Sequence, residues 1–143
     1  MYQIYSRLVI YCSIFVPFLL TSCNNETHPL PSVPVNISIN LDLPAYQALN
    51  SPGEYAYVNG GIRGIVVYRN FDEFVALDRQ STYNHEDECA VIVNPDNMFQ
   101  LEDTCSGSKF DIASGVVIEG PAKWALRRYS TSWNGVNTVF VYN

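Results

Sequence analysis

The chain alternates between short apolar runs and polar turns, with a turn signal about every ten residues from residue 35 onward. Its first run, "NISINLDL", places polar and apolar residues at alternate positions, which is typical of a strand with one buried face. No segment keeps a helical period over three turns. This pattern predicts an all-β domain of about eight to ten short strands, arranged as a small antiparallel sandwich or partly open barrel.

The clearest hairpin signal lies in "GIRGIVVYRNFDEFVALDRQ". Residues 65–68 predict one strand, residues 73–77 predict the next, and residues 69–72 predict the turn between them. The preceding stretch, "PAYQALNSPGE", keeps neither the strand nor the helix period and ends near a Pro-Gly pair. It is therefore predicted to be an irregular crossing.

Later segments predict two more hairpins. "AVIV" and "MFQLE" flank "NPDN", whose residues favour a turn. "ALRRYSTSW" and "VNTVFVYN" flank "NG", which is typical of a two-residue hairpin turn. Between these hairpins, "GVVIEG" predicts a further strand.

The first 23 residues differ in kind from the rest. One positive charge, Arg7, precedes an apolar run from Leu8 to Leu20, which is shorter than the roughly 20 apolar residues of a membrane-spanning helix. That length fits the apolar region of a secretory signal. The run ends in "LTSC", which resembles the bacterial lipobox, a motif whose cysteine is lipidated and becomes the new N-terminus. The resemblance implies that residues 1–22 form a lipoprotein signal peptide and that Cys23 carries the lipid, with an uncleaved anchor as the alternative.

Residues 23–35 include the polar, proline-rich stretch "NNETHPLPSVPV" and predict a tether that joins the lipid to a domain at residues 36–143. The protein is thus expected to be lipid-anchored to a bacterial membrane through the acylated cysteine, facing the periplasm or the cell exterior. Asn24 after the lipidated cysteine favours the outer membrane under the usual sorting convention.

Composition and charge limit the function classes. Apolar residues make up 48% of the 143 residues and charged residues 15%, as expected for a folded domain rather than a disordered chain. The length suits one domain with a single core. The formal net charge of −6 leaves no basic stripe to neutralise phosphates, so nucleic acid is not an expected partner.

Two polar loops, residues 79–89 and 102–110, each contain one cysteine, Cys89 and Cys105. The hairpin "AVIVNPDNMFQL" lies between them, and a hairpin returns the chain to the end from which it left. Both loops are therefore expected at the same end of the domain, where the two cysteines could form a disulfide in a compartment that permits one. Closing a loop of this length stabilises a fold by about 3 kcal/mol in the chain-entropy model.

The second loop and the residues after it carry a resemblance to a known family. "SGSKFD" and the following "ASGVVIEGPAKWALRRY" are similar to the second cluster loop, the Gly-Pro-Ala turn and the basic strand of the Rieske 2Fe–2S domain. Upstream, "GIVVYRNFDEFVALDRQSTY" resembles the strands that lead into the family's first cluster loop. The resemblance spans residues 60–130 and implies a Rieske-like fold whose two loops form a tip subdomain at residues 79–123. The matching positions are Gly107, Ser108, Phe110, Asp111, Gly120, Pro121, Ala122 and Leu126.

The positions that bind the cluster in that family differ here. Two cysteines and two histidines hold the irons in the family. A hydroxyl is a harder ligand than a thiolate and is far less easily deprotonated. The resemblance therefore implies a degenerate member without the cluster, and no cofactor is expected. In one Rieske subgroup a disulfide ties the two loops together, and Cys105 falls at one of its positions, with Cys89 as its partner. The changed ligand positions are Ser81, Tyr83, Asp103 and Ser106.

Two functional interpretations follow. The first is a membrane-anchored extracytoplasmic lipoprotein whose Rieske-like domain has lost its cluster and serves a binding or structural role with an unidentified protein partner. The alternative is a Rieske-type electron-transfer protein that holds a 2Fe–2S cluster through unusual ligands. An enzyme is not expected, because Ser81, Ser106 and His85 are the only candidates for a hydrolytic pair and no Gly-x-Ser-x-Gly motif supports them.

The tip is also rich in acidic residues. Carboxylates and a histidine gathered at one end could bind a hard divalent cation, which prefers oxygen ligands. The simpler interpretation is a solvated acidic surface, because the spacing does not resemble a dedicated calcium loop. The candidate residues are His85, Glu86, Asp87, Glu88 and Glu102, with Asp103 beside them.

Overall fold

A computed structural model describes residues 27–143, and this part of the chain is nearly all β structure, as predicted. It contains ten strands and two short 3-10 helices, Pro44–Asn50 and His85–Asp87. The strands are β1 Asn36–Asn40, β2 Tyr55–Val58, β3 Ile65–Asn70, β4 Glu73–Asp78, β5 Ile92–Asn94, β6 Asn97–Glu102, β7 Lys109–Asp111, β8 Val117–Glu119, β9 Arg128–Trp133 and β10 Thr138–Tyr142.

The strands form two antiparallel sheets. The larger sheet has the order β1-β10-β9-β4-β3-β2, and the smaller has the order β5-β6-β7-β8. The smaller sheet is inserted between β4 and β9, which pair directly with each other through Ala76–Tyr129 and Leu77–Arg128. The two polar loops predicted to share one end both belong to this insertion.

Strands β3 and β4 are buried on both faces, which explains why their sequences are continuous apolar runs. Ile65 and Val67 face the core enclosed by the larger sheet. Val66 and Tyr68 face the opposite way, into a second core shared with the smaller sheet. Phe110 of β7 is completely buried in that second core. The β3–β4 hairpin is therefore the wall between two cores, and it fixes the smaller sheet against the larger one.

The segment predicted as a tether packs against the domain from His28 onward, which corrects the expectation of a free spacer. Leu30 and Val35 are buried. The His28 ring nitrogen Nε2 lies 3.0 Å from the carbonyl oxygen of Ala125, and the Arg127 guanidinium donates to the carbonyl oxygen of Leu30. Leu30 and Val35 of this proline-rich stretch are thus covered by the domain. The predicted signal peptide at residues 1–22 and the predicted lipidation site Cys23 lie outside the described residues. No helix within residues 27–143 is long and apolar enough to cross a membrane.

Several predicted elements differ from the structure. The stretch read as an irregular crossing contains the first 3-10 helix, and β2 follows it although no strand was predicted there. Strand β7 begins at Lys109, within the predicted loop 102–110. The predicted two-residue turn at Asn134-Gly135 is a four-residue turn, because the Asn134 side chain accepts backbone N–H bonds from Val136, Asn137 and Thr138. A side chain that satisfies three donors stabilises the wider turn.

Asp78, the last residue of β4, is fully buried and accepts four hydrogen bonds. The donors are the backbone N–H groups of Ile62 at 2.7 Å, Arg63 at 3.4 Å and Gln80 at 2.8 Å, and the Tyr129 hydroxyl at 2.7 Å. A buried carboxylate is costly unless donors replace its water. Asp78 therefore ties the loop before β3, the start of the first polar loop and β9 to one point. Gly61 makes this possible, because a Cβ at that position would overlap the Asp78 carboxylate.

Burial, together with the hydrogen bond to Asp78, raises the pKa of Tyr129 well above its usual value. A tyrosine that stays protonated when folded but ionises when unfolded makes the fold less stable as pH rises above about 10. We expect the free energy of unfolding of the wild type to fall by about 1 kcal/mol more than that of Tyr129→Phe between about pH 9 and pH 11. Denaturant unfolding at several pH values measures this difference. Tyr142→Phe, which changes an exposed tyrosine, is the control and should keep the wild-type dependence.

Candidate functional site

Three loops meet at one end of the smaller sheet, and we call them together the tip: residues 79–89, 102–110 and 120–124. The first two are joined covalently, because Cys89 and Cys105 form a disulfide with their Cα atoms 6.3 Å apart. This confirms the predicted pairing and the prediction that the two loops share one end. Cys105 is exposed and Cys89 half-buried, so the bridge lies at the outer edge of the tip.

The centre of the tip is the carboxylate of Asp103, which is 1% exposed. Its Oδ2 accepts hydrogen bonds from the hydroxyls of Ser81 and Ser106, each at 2.6 Å. Its Oδ1 accepts the backbone N–H of Cys105 at 3.0 Å. Hydrogen bonds to a charged acceptor are about twice as strong as neutral ones. Asp103 therefore joins both loops with three donors, directly behind the disulfide.

The donor and the acceptor can be assigned in each hydrogen bond that links Asp103, Ser106 and Ser108. A carboxylate can only accept, so Ser106 uses its one proton on Asp103. The Ser108 hydroxyl, 2.8 Å from that of Ser106, is then the donor between the two serines. Ser108 in turn accepts the backbone N–H of Ala122 at 2.9 Å. The chain of bonds Ala122–Ser108–Ser106–Asp103 thus connects the third loop to the second.

The first loop is closed at its base and attached to the third. The Ser81 backbone N–H donates to the carbonyl oxygen of Cys89 at 2.9 Å. The Thr82 hydroxyl donates to the carbonyl oxygen of Trp124 at 2.6 Å. All three loops are therefore held to one another by hydrogen bonds between groups that are buried or half-buried.

Three of the four positions matched to cluster ligands come together, and one does not. Ser81, Asp103 and Ser106 form the hydrogen-bonded centre described above. Tyr83 is 43% exposed, and its backbone N–H, rather than its ring, contacts this centre through the Ser81 hydroxyl at 3.2 Å. Three of the positions thus supply oxygen atoms that bind one another.

The candidate cation-binding residues are not gathered into a site. Glu88 pairs with Arg63, and the Asp87 carboxylate accepts a hydrogen bond from Asn84. His85, Glu86, Asp87 and Glu88 are exposed. Across residues 27–143, the only group of three histidine, cysteine, aspartate or glutamate side chains with ligand atoms mutually within 4.8 Å is Cys89, Asp103 and Cys105. The acidic residues Glu86, Asp87 and Glu88 are separate, exposed groups.

Sequence reasoning matched Ser108 to the family pattern without assigning it a contact, and it missed Thr82. It placed Asp103 at a changed ligand position and beside the acidic residues, but did not predict its burial. A local signal indicates the turn at Asp103 but not its burial: its side chain accepts the N–H two residues later, an arrangement that Asp favours in turns. The partners of Thr82 carry no such signal, because they are 42 residues away in the chain.

Replacing Asp103 is expected to destabilise the protein. In Asp103→Ala the Ser81 and Ser106 hydroxyls and the Cys105 N–H lose their acceptor while buried or half-buried, which costs roughly 1.5–3 kcal/mol or more. Denaturant unfolding with the disulfide intact measures the change. Asp96→Ala, in an exposed turn, should change the free energy of unfolding by less than about 0.5 kcal/mol. Equal stability of Asp103→Ala and Asp96→Ala would contradict the assigned role.

Comparisons with known proteins show which solved structures this architecture resembles. No protein-family model matches the sequence, and no curated protein matches it. Among solved structures, it is similar to the cyanobacterial plasma membrane Rieske protein PetC3 from Synechocystis PCC 6803, with a TM-score of 0.57, 23% identity, and coverage of 75% of this chain and 99% of that one.

Two further structures contain ferredoxins. A complex of reduced oxygenase and oxidised ferredoxin in carbazole 1,9a-dioxygenase matches with a TM-score of 0.50 and 20% identity over 76% of this chain and 93% of that one. The ferredoxin of carbazole 1,9a-dioxygenase from Nocardioides aromaticivorans IC177 has a TM-score of 0.49 and 19% identity over 78% of this chain and 98% of that one. At these identities the similarity concerns the fold, and the chain has the all-β Rieske-like fold that its sequence predicted.

Proposed function

We propose that this protein is a lipid-anchored extracytoplasmic module whose Rieske-like domain holds no iron–sulfur cluster and serves a binding or structural role. The observation that carries the proposal is the Asp103 centre. The Ser81 and Ser106 hydroxyls both donate hydrogen bonds to its carboxylate. These side chains therefore lie between the two loops and are hydrogen-bonded to one another through Asp103.

The chemistry of the donors supports the absence of a cluster. A Rieske centre requires two thiolates and two imidazoles. At the matched positions the chain offers the oxygen atoms of two serines, a tyrosine and an aspartate. The only two sulfur atoms at the tip are bonded to each other, and the exposed His85 is not part of the Asp103 centre. The residues present do not fit a 2Fe–2S cluster.

The anchoring part of the proposal rests on the sequence. A short apolar run with one preceding arginine ends in "LTSC", and Cys23 would carry acyl chains that each add about 0.8 kcal/mol of membrane affinity per buried methylene. The Cys89–Cys105 disulfide fits an extracytoplasmic compartment, since disulfides persist outside the reducing cytosol. The partners of such a protein are the bilayer and an unidentified protein.

Iron content tests the cluster-free state. We expect the purified protein to be colourless, with no visible absorbance from iron and sulfide and less than about 0.1 iron per chain. We also expect no reaction of Cys89 or Cys105 with a thiol reagent under denaturing, non-reducing conditions. A brown protein with two irons per chain after anaerobic purification would favour the electron-transfer alternative instead.

Lipidation is tested separately from the cluster. We expect the mature protein to begin at Cys23, to carry the mass of its acyl chains and to fractionate with membranes. Cys23→Ser should lose the acyl mass and remain unprocessed at that cleavage site. Cys12→Ser, which changes a residue within the predicted signal peptide, is the control and should be processed normally. An intact N-terminus on the wild-type protein would support the uncleaved anchor.

A further inference from the structure

A cleft beside the tip collects positive charge in a chain whose net charge is −6. It has a volume of about 450 Å³, which lies in the range of small-molecule sites. Its floor is the glycine-containing loop that Asp78 holds in place before β3, and its walls include two arginines. The argument uses Tyr57, Arg63 and Arg79 from its lining.

Arg79 is held in position by contacts that leave the end of its guanidinium available. Its Nε donates to the carbonyl oxygen of Val91 at 2.9 Å. Its guanidinium carbon lies 4.1 Å from the centre of the Tyr57 ring, in a cation–π contact. Within residues 27–143, its two terminal nitrogens make no hydrogen bond to a protein acceptor. A guanidinium fixed in this way presents a planar pair of donors, which matches the geometry of a carboxylate or phosphate.

Arg63 lies on the same cleft and has only a weak partner. It pairs with Glu88, whose side chain is 71% exposed. Ion pairs at such exposure contribute roughly 0–1 kcal/mol, so an incoming anion can compete with Glu88 for Arg63. The buried Asp78 carboxylate accepts its four hydrogen bonds from backbone N–H groups and the Tyr129 hydroxyl rather than from either guanidinium.

A second, smaller cavity of about 260 Å³ adjoins the cleft, since Ile62 and Arg63 line both. Leu30 and Pro31, from the segment that packs against the domain, form part of its wall. The two cavities together therefore offer donors for an anionic group at Arg79 and Arg63 and an apolar surface next to them.

We propose that this cleft binds a small organic acid, with its carboxylate or phosphate between Arg79 and Arg63 and its apolar part against Ile62 and Pro31. The site depends on the domain fold alone. It requires neither the lipid on Cys23 nor the absence of a cluster, so its failure would leave the proposed function unaffected.

Amide NMR spectra of the mature protein in detergent test the site, with phenyl phosphate, benzoate, inorganic phosphate and benzyl alcohol as probes. Phenyl phosphate or benzoate should give saturable shifts of the Gly60, Gly61 and Gly64 amides with a Kd of about 1 mM, as expected for ligands of this size. Inorganic phosphate should bind at least threefold more weakly than phenyl phosphate, and benzyl alcohol should give no saturable shift. The relative affinity of benzoate and phenyl phosphate decides which oxyanion the cleft prefers.

Single substitutions distinguish the contribution of each arginine to binding from the effect of removing one positive charge elsewhere. Arg79→Gln should weaken binding about tenfold, and Arg63→Gln about threefold. Lys123→Gln removes an equal charge from an exposed position outside the cleft lining and should bind as the wild type does. Arg63 is half-buried and contacts Glu88, so Arg63→Gln is expected to fold even if Arg79→Gln does not. Saturable binding of none of the three oxyanions, or wild-type affinity in Arg63→Gln, overturns the proposal.

Discussion

The buried carboxylate of Asp78 supports both surface features of this domain. It lies at the end of β4, where the chain leaves the wall between the two cores and enters the first loop of the tip. Because a buried carboxylate must be satisfied by protein donors, the loop containing Ile62 and Arg63, the amide of Gln80 and the hydroxyl of Tyr129 are held to one point. The floor of the cleft and the base of the tip therefore share one support.

The tip contains a second buried carboxylate, Asp103, which is also satisfied by protein donors. Asp103 has donors from Ser81 in the first loop and from Ser106 and Cys105 in the second. A metal centre would hold two such loops together through bonds from both to one group. Here hydrogen bonds to a carboxylate and a disulfide at the outer edge supply the connection. This arrangement explains how the two loops are held together within the Rieske-like fold.

The sequence predicted those parts of the structure that depend on local pattern. The β3–β4 hairpin was evident because burial on both faces requires a continuous apolar run, and the two loops were placed at one end because a hairpin separates them. The burial of Asp103 was not evident, since Ser81 lies 22 residues away and no pattern links the two. Packing of Leu30 was missed for the same reason: its contact with Arg127 spans 97 residues. Strand β7, with three residues, is too short for alternation to show.

The contacts that hold Arg79 in the cleft differ from the hydrogen bonds that form the centre of the tip around Asp103. Arg79 is held by the Tyr57 ring and by the carbonyl oxygen of Val91, and neither residue is among the hydrogen-bond donors to Asp103. Replacing the residues at the matched ligand positions therefore leaves the contacts that hold Arg79 intact. In this structure the hydrogen bonds to Asp103 and the Cys89–Cys105 disulfide join the two loops. The domain presents an ordered surface beside the tip because its stability resides in the two cores and in carboxylates that the protein itself satisfies.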